Sequence, residues 1–407
     1  MTAIPAPVSG TPPVVIIGAG IGGLTLALLL RQRGIVAEVL EQSAELREVG
    51  AAVALAANAT RVLRHLGLGE PLARASTEPA ALIYRDGRDG HLIAVTPGPR
   101  WYRETFGAPF GGLHRAALQR LLADALGLEH LHLDCRAVAL EEGGAGMLVH
   151  CSSGAVFEAG VAVGADGVHS LVRDWVIGGD EPVYSGTSGF RGLVPVGLLP
   201  RLPDPGALQF WMGPGAHLLH YPIDGGRVIN FLAVIDTPER WTAPAWLEGA
   251  EPGAHLEAFA GWHPAVTEML SAVPQSPRWG LFARRPLARW SRGSAVLLGD
   301  AAHAMLPHQG QGANQTIEDA VVLAAELDGA SDIPAALRRY AARRRARTRK
   351  VQLMSWAASA ALHLPDGPAA RRRDAYVAQM PRHLAWIHGY DVLTPVQGDL
   401  ARTAGAG

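Results

Sequence analysis

Apolar residues in this chain gather into short, dense runs that break at glycine. Val14-Val15-Ile16-Ile17 is a β-branched run of strand length that closes on Gly18, Gly20, Gly22 and Gly23. Leu24–Arg33 continues at helical spacing as far as Gly34, and Val36–Leu40 is a second strand. Strand, glycine turn, helix and strand in this order predict a βαβ unit with parallel strands. The same layered succession returns at Val161–Arg173 and at Ala295–Leu327, so segments far apart in sequence are expected to share one sheet.

Between Tyr184 and Ala283 the pattern changes to strands joined by turns. Ala207–Met212, Ala216–Ile223 and Arg227–Ile235 are strand runs, with Asp224-Gly225-Gly226 as a hairpin turn. From Ile333 onward the spacing is helical, and the basic run Arg338–Lys350 reads as the solvated face of a helix. The expected fold is α/β. A Rossmann-like nucleotide-binding domain takes residues 1–75, 100–180 and 284–330, an inserted antiparallel sheet takes 76–99 and 181–283, and a helical region takes 331–407.

Composition narrows the function. With 36 Lys+Arg against 37 Asp+Glu and 18% charged residues among 407, there is no global field to attract nucleic acid. Only Cys135 and Cys151 occur, with no second Cys or His at zinc-site spacing, so neither a disulfide framework nor a metal site is expected and a reducing cytoplasm fits best. The first thirteen residues lack the basic start of a secretory signal. Val14–Leu30 approaches membrane-spanning length, but its four glycines mark a turn, and no integral membrane segment is expected.

Gly18-Ala19-Gly20-Ile21-Gly22-Gly23 fits G-x-G-x-x-G after a strand and before a helix, and Glu41 closes the second strand. Gly18 makes the tight turn, Gly20 lets backbone approach a pyrophosphate, and Gly23 lets helix and strand pack. Glu41 is placed to accept hydrogen bonds from a ribose diol. On this motif alone the ligand is NAD or FAD. No second motif of this kind follows a strand, and Gly143-Gly144-Ala145-Gly146 sits in a hairpin context.

Two further segments follow strands: Gly164-Ala165-Asp166-Gly167-Val168-His169-Ser170-Leu171-Val172-Arg173 and Val296-Leu297-Leu298-Gly299-Asp300-Ala301-Ala302-His303. With the nucleotide loop they resemble the three fingerprints of single-component FAD-dependent aromatic hydroxylases of the p-hydroxybenzoate hydroxylase fold. Within that fold the chain resembles the group of salicylate hydroxylase, 3-hydroxybenzoate 6-hydroxylase and 6-hydroxynicotinate 3-monooxygenase. Glu45–Gly50, Leu113-His114-Arg115, Phe190-Arg191-Gly192 and Trp386–Asp391 also look like segments of that group.

The resemblance implies bound FAD, transient NADH or NADPH, and O2. Gly18, Gly20, Gly23 and Glu41 would hold the ADP half, Arg115 its pyrophosphate or ribose, and Asp300 the ribityl region, while Asp166 would support the cofactor or meet NAD(P)H. Arg47 is a candidate on the flavin side. Gly310, Gly312 and Asn314, in a glycine-rich loop ahead of a helix, are candidates for the isoalloxazine end, because a helix N-terminus offers free N–H groups to an anionic reduced flavin.

Strand alternation in Ala216–Pro222 sets His217, Leu219 and Tyr221 on one face. His217 is the candidate base, Tyr221 its partner in orienting the ring, and His308 the alternative base. Trp211 is a candidate for the pocket wall, His303 is assigned a structural role, and Arg191, Arg47 or a backbone site is a candidate for holding a substrate carboxylate. The expected activity is hydroxylation of a small phenolic or hydroxylated N-heteroaromatic ring, delivered through a flavin C4a-hydroperoxide, by a monomer or homodimer. The alternatives are another reaction on the same fold, such as epoxidation or reduction of a non-aromatic substrate, or flavin binding without turnover.

Overall fold

A computed structural model describes residues 13–46, 52–144, 146–241, 246–249 and 253–394. The candidate Arg47 lies outside the described residues. Val14–Ile17 is central in a six-stranded sheet, pairing in parallel with Ala37–Leu40 on one side and Val161–Gly164 on the other. Ala295–Leu297 adds in parallel to Val161–Gly164, and Leu131–His132 to Ala37–Leu40. All four residues of the central strand are buried, as a strand covered on both faces requires. The helices Ile21–Arg31 and Gly312–Leu327 cover it within one large apolar core.

The second sheet has eight strands among the described residues. Leu82–Asp86 and Leu92–Val95 form one edge, and Val183–Pro195, Leu208–Gly213, Ala216–Ile223, Val228–Asp236, Leu247–Glu248 and Arg278–Ala283 make up the rest. It is antiparallel except at one seam, where Leu82–Asp86 runs parallel to Leu208–Gly213. These two strands are joined by a long excursion through the first sheet rather than by a hairpin, so nothing forces them antiparallel. Asp224, Gly225 and Gly226 all take positive φ and turn Ala216–Ile223 into Val228–Asp236.

Helices Ile333–Leu362, Pro368–Val377 and Met380–His388 close the chain. The basic run on the first of them is only partly a solvated face. Arg344 is fully buried, its guanidinium donating to Glu318 Oε2 (2.6 Å) and Asp319 Oδ1 (2.7 Å). Burial opposes ionisation of both carboxylates, but Arg344 and Arg347 outweigh it at Glu318, and His303 and Arg344 at Asp319, so both carboxyls sit below their ordinary pKa. His303 donates its Nε2 side to Asp319 and has no exposure, consistent with a structural role.

Candidate active site

The two sheets and the C-terminal helices enclose a cavity of about 1650 Å³. Pockets for drug-sized ligands run to roughly 300–1,000 Å³, so this one has room for a dinucleotide and a second small molecule. Gly18, Gly20 and Glu41 line the nucleotide end, with Asp166 beside Gly18, and Arg115, Asp300, Gly310, Gly312, Tyr221 and His308 line the rest. Residues spread from Gly18 to Gly312 thus converge on a single space.

At the nucleotide end the glycines are fixed by contact. Gly18 has φ +108°, and a Cβ there would stand 2.4 Å from the Ala165 carbonyl oxygen. At Gly23 a Cβ would be 2.0 Å from the Gly18 carbonyl oxygen, so its role is packing rather than lining. Gly22, to which the sequence reading gave no task, abuts Thr316 and Leu298 and lets two helices approach. Glu41 accepts from the Ala19 N–H (3.0 Å) and the Ser43 N–H (2.9 Å), leaving further lone pairs toward the cavity. These residues fit the adenosine and pyrophosphate of FAD: backbone without side chains beside a helix N-terminus, and a carboxylate fixed just past the end of the second strand.

Along the rest of the cavity, Asp300 begins a short helical turn and Gly312 opens the sixteen-residue helix Gly312–Leu327. Gln311 at its N-cap accepts from Asn58 and Gln315 instead of capping the helix, so its side chain leaves the first N–H groups available to an anionic ring. Gly310 takes φ +59°. Asn314 is fully buried and outside the lining: its amide donates to Gly310 O (2.6 Å) and Ala54 O (3.0 Å) and accepts from Ala56 N–H (2.8 Å). It ties the loop to the strand Ala52–Leu55. Asp166 caps the following turn through Val172 N–H, and burial raises its carboxyl pKa.

On the second sheet Tyr84 and Phe210 stack 5.2 Å apart, with Leu219 and Tyr221 on the neighbouring strand. Burial raises the Tyr221 phenol pKa, partly countered by Arg191. Gly112 allows this packing, since a Cβ would lie 2.7 Å from the Tyr221 ring. Arg191 lines the cavity and stacks over Trp279 (5.3 Å), and among the described residues no carboxylate pairs with it. Burial and the nearby Arg115 lower its pKa. Trp211 is not a pocket wall. It is 1% exposed inside the second core, and Trp246 and Trp279 line the cavity instead.

His217 stands one layer behind the wall. It is 1% exposed and outside the lining, with the His308 ring edge-on to it at 5.1 Å and His308 itself on the cavity. Its Nδ1 meets His363 Nε2 at 2.6 Å, and His363 Nδ1 meets Asp236 Oδ1 at 2.5 Å. His363 and Asp236 have no motif around them, and only the fold brings them to His217. Among the described residues no three His, Cys, Asp or Glu side chains form a metal-ligand set, and no helix is long and apolar enough to cross a membrane.

The FAD binding domain family matches residues 11–355. The chain is 39% identical over 391 residues to 3-amino-4-hydroxybenzoate 2-monooxygenase of Streptomyces cremeus, covering 95% of this chain and 98% of that one. It is 34% identical over 388 residues to 3-hydroxybenzoate 6-hydroxylase 1 of Aquipseudomonas alcaligenes, covering 93% and 98%. Among solved structures, a salicylate hydroxylase substrate complex superposes with a TM-score of 0.82 at 30% identity, covering 95% of this chain and 97% of that one. A Klebsiella pneumoniae protein solved with FAD and uric acid superposes at 0.79 with 29% identity, covering 96% of each. The fingerprints, the glycine cradle and these likenesses agree: the chain belongs to the FAD-dependent aromatic monooxygenases, enzymes that use NAD(P)H and O2.

Proposed function

We propose that this enzyme hydroxylates a hydroxybenzoate, a small ring bearing a phenolic oxygen and a carboxylate, of which 3-amino-4-hydroxybenzoate is the first to test. The observation that carries the reading is Arg191, a desolvated guanidinium on the cavity with no acidic partner among the described residues, electrostatically coupled to Tyr221 and on the sheet that also carries the stacked Tyr84 and Phe210. A buried cation without a counter-charge is costly, and a substrate carboxylate offsets that cost by a charge-assisted, bidentate bond. The named substrates of the two relatives above are benzoates of this kind.

The net reaction inserts one oxygen atom of O2 into a ring C–H bond and reduces the other to water with NAD(P)H and a proton. FAD, when bound, supplies the reduced ring that activates O2, and Gly18, Gly20, Glu41, Asp300 and the available N–H groups at Gly312 would hold it. The protein's own groups exclude water, orient the ring and remove the phenol proton, since a phenolate is a far better nucleophile toward an electrophilic oxygen than a phenol. His217 is the base, acting through His308, the cavity-lining residue in contact with it, and Tyr221 is the orienting group. With only two cysteines in 407 residues, the chain is not stapled by a disulfide framework, which supports the cytoplasm as the setting.

Arg191→Gln is expected to weaken binding of 3-amino-4-hydroxybenzoate about 10- to 100-fold, as for loss of a charged hydrogen bond. Binding of 2-aminophenol, which lacks the carboxylate, should change little. Titration of flavin absorbance reads both. Equal losses for the two ligands would overturn the carboxylate role, and a wild-type enzyme that binds no benzoate and consumes NAD(P)H only with uncharged phenols or pyridines would overturn the substrate class.

A further inference from the structure

We propose that Asp236 and His363 form the solvent end of a proton path to the active-site cavity, fixing His217 in its Nδ1–H tautomer and carrying away the proton that its Nε2 accepts. The proposal rests on the reading of His217 as the base. Its foundation is a hydrogen-bond chain with one polarity consistent with neutral rings, the form that burial favours at both His363 and His217. Asp236, whose side chain is 52% exposed, is an acceptor when ionised, so His363 Nδ1 donates to it across 2.5 Å. His363 Nε2 then offers a lone pair, and His217 Nδ1 must donate to it across 2.6 Å. What remains is a bare lone pair on His217 Nε2, buried and without a protein partner. It is the atom a base needs, on a ring whose other nitrogen is already committed.

Backbone holds the chain in register. The turn residue Gly215 donates its N–H to the His363 carbonyl (3.0 Å) and accepts the Asp236 N–H (2.8 Å), so the helix end and the strand end bearing the two side chains are tied to one peptide unit. On the cavity side His308 is edge-on to His217, with neither of its ring nitrogens bonded to the protein. It is the cavity-lining side chain in contact with the His217 ring.

The relay balances atom by atom. The phenol O–H bond breaks and an N–H bond forms at one ring nitrogen of His308, whose other nitrogen gives up its proton to His217 Nε2; neither His308 nitrogen is otherwise bonded to the protein. The His217 Nδ1 proton moves to His363 Nε2, the His363 Nδ1 proton to Asp236, and Asp236 yields it to water. When the hydroxylated ring regains aromaticity its sp3 carbon releases its hydrogen to water as a proton, its carbonyl oxygen takes up a proton by the reverse passage, and all three tautomers are restored. A relay is required because His217 cannot keep the charge: burial, then His308 and His363, hold its pKa well below the ordinary histidine value. A proton accepted there must leave at once, and the exposed carboxylate is the exit.

Two measurements on the FAD-loaded enzyme test this. ¹⁵N-histidine NMR without substrate should show His217 protonated at Nδ1 in the wild type and a mixture of tautomers in Asp236→Asn, where the amide no longer requires a donor. In weakly buffered stopped flow with a pH indicator, 3-amino-4-hydroxybenzoate should release its phenol proton about 10-fold more slowly in Asp236→Asn and His363→Gln. Added imidazole should restore the rate in His363→Ala, a rescue that a purely structural residue would not show. His217 protonated at Nε2 in the wild type, or proton release unchanged in Asp236→Asn while His217→Ala slows it, would overturn the relay and leave the base in place. Release unchanged in His217→Ala would overturn the base itself. Asp236 is a surface side chain, so its variant decides the matter even if the His363 variants fail to fold.

Discussion

Gly20→Val is expected to purify as a folded, colourless protein. Gly20 sits at the head of the helix Ile21–Arg31 with φ −71° and ψ −179°, an extended backbone that valine adopts freely, so the strand and helix should form as before. The residue lines the cavity at the nucleotide end, and a branched side chain there occupies the space through which a pyrophosphate reaches the helix N-terminus. Loss of that approach removes the main anion site for FAD, and a drop in occupancy of at least ~100-fold, about 3 kcal/mol of lost charge-assisted bonding, is the expected scale. Gly18→Val should fail differently, losing fold as well as flavin, because φ +108° and the Ala165 carbonyl at 2.4 Å both reject a Cβ. Gly34→Ala is the control: its Cβ would meet nothing within 4 Å, so only a modest backbone cost at φ +71° applies and the protein stays yellow. Flavin absorbance per mole of protein, with thermal melts by circular dichroism, separates these outcomes. A yellow, stoichiometrically loaded Gly20→Val enzyme would mean that the pyrophosphate does not cross this glycine.

The contrast between these glycines shows what the sequence makes legible. A strand of four β-branched residues, a glycine turn and a helix are local, and their order determines where a phosphate can sit before any long-range contact is known. The alternation of Leu219 and Tyr221 toward the cavity is equally local, since a strand has only two faces. Distance from the wall is not local. His217 shares their face by alternation, yet it lies behind His308, because a residue from a loop ninety positions later covers it. Asn314 was read toward the flavin from its loop, but its amide is used up on Ala54, Ala56 and Gly310, a partnership made by tertiary folding.

Arg344 was legible in principle. Ala336, Leu337, Tyr340, Ala341, Thr348 and Val351 repeat at spacings of three and four along the last long helix, and Arg344 falls inside that stripe. A charge run hides such a position when it is read as composition, and reveals it when it is read as periodicity. For His363 and Asp236 no such signal exists. They lie 146 and 19 residues from His217, in a helix end and a strand end of ordinary composition.

His217→Ala is expected to slow hydroxylation of 3-amino-4-hydroxybenzoate by ~10²–10⁴-fold, the usual cost of losing a general base. FAD content should stay near one per chain, since His217 lies away from the nucleotide end and outside the cavity lining. Reduction of the flavin by NAD(P)H should also persist, and the reducing equivalents that no longer reach the ring should appear as hydrogen peroxide. The pH dependence follows from the direction of the His217 shift. Burial favours the neutral ring, so its folded pKa lies below the ordinary value and the base is already unprotonated across pH 6 to 9. The wild-type hydroxylation rate should therefore show no loss on the acid side of this range from protonation of His217. In the variant the ring must instead lose its phenol proton to solvent. Its rate should rise with pH toward the phenol's own pKa, a slope the wild type lacks. Turnover, product mass and peroxide measured over that range decide the case. A variant with wild-type rate and coupling throughout would remove His217 as the base and make His308, which already borders the ring, the residue to replace next.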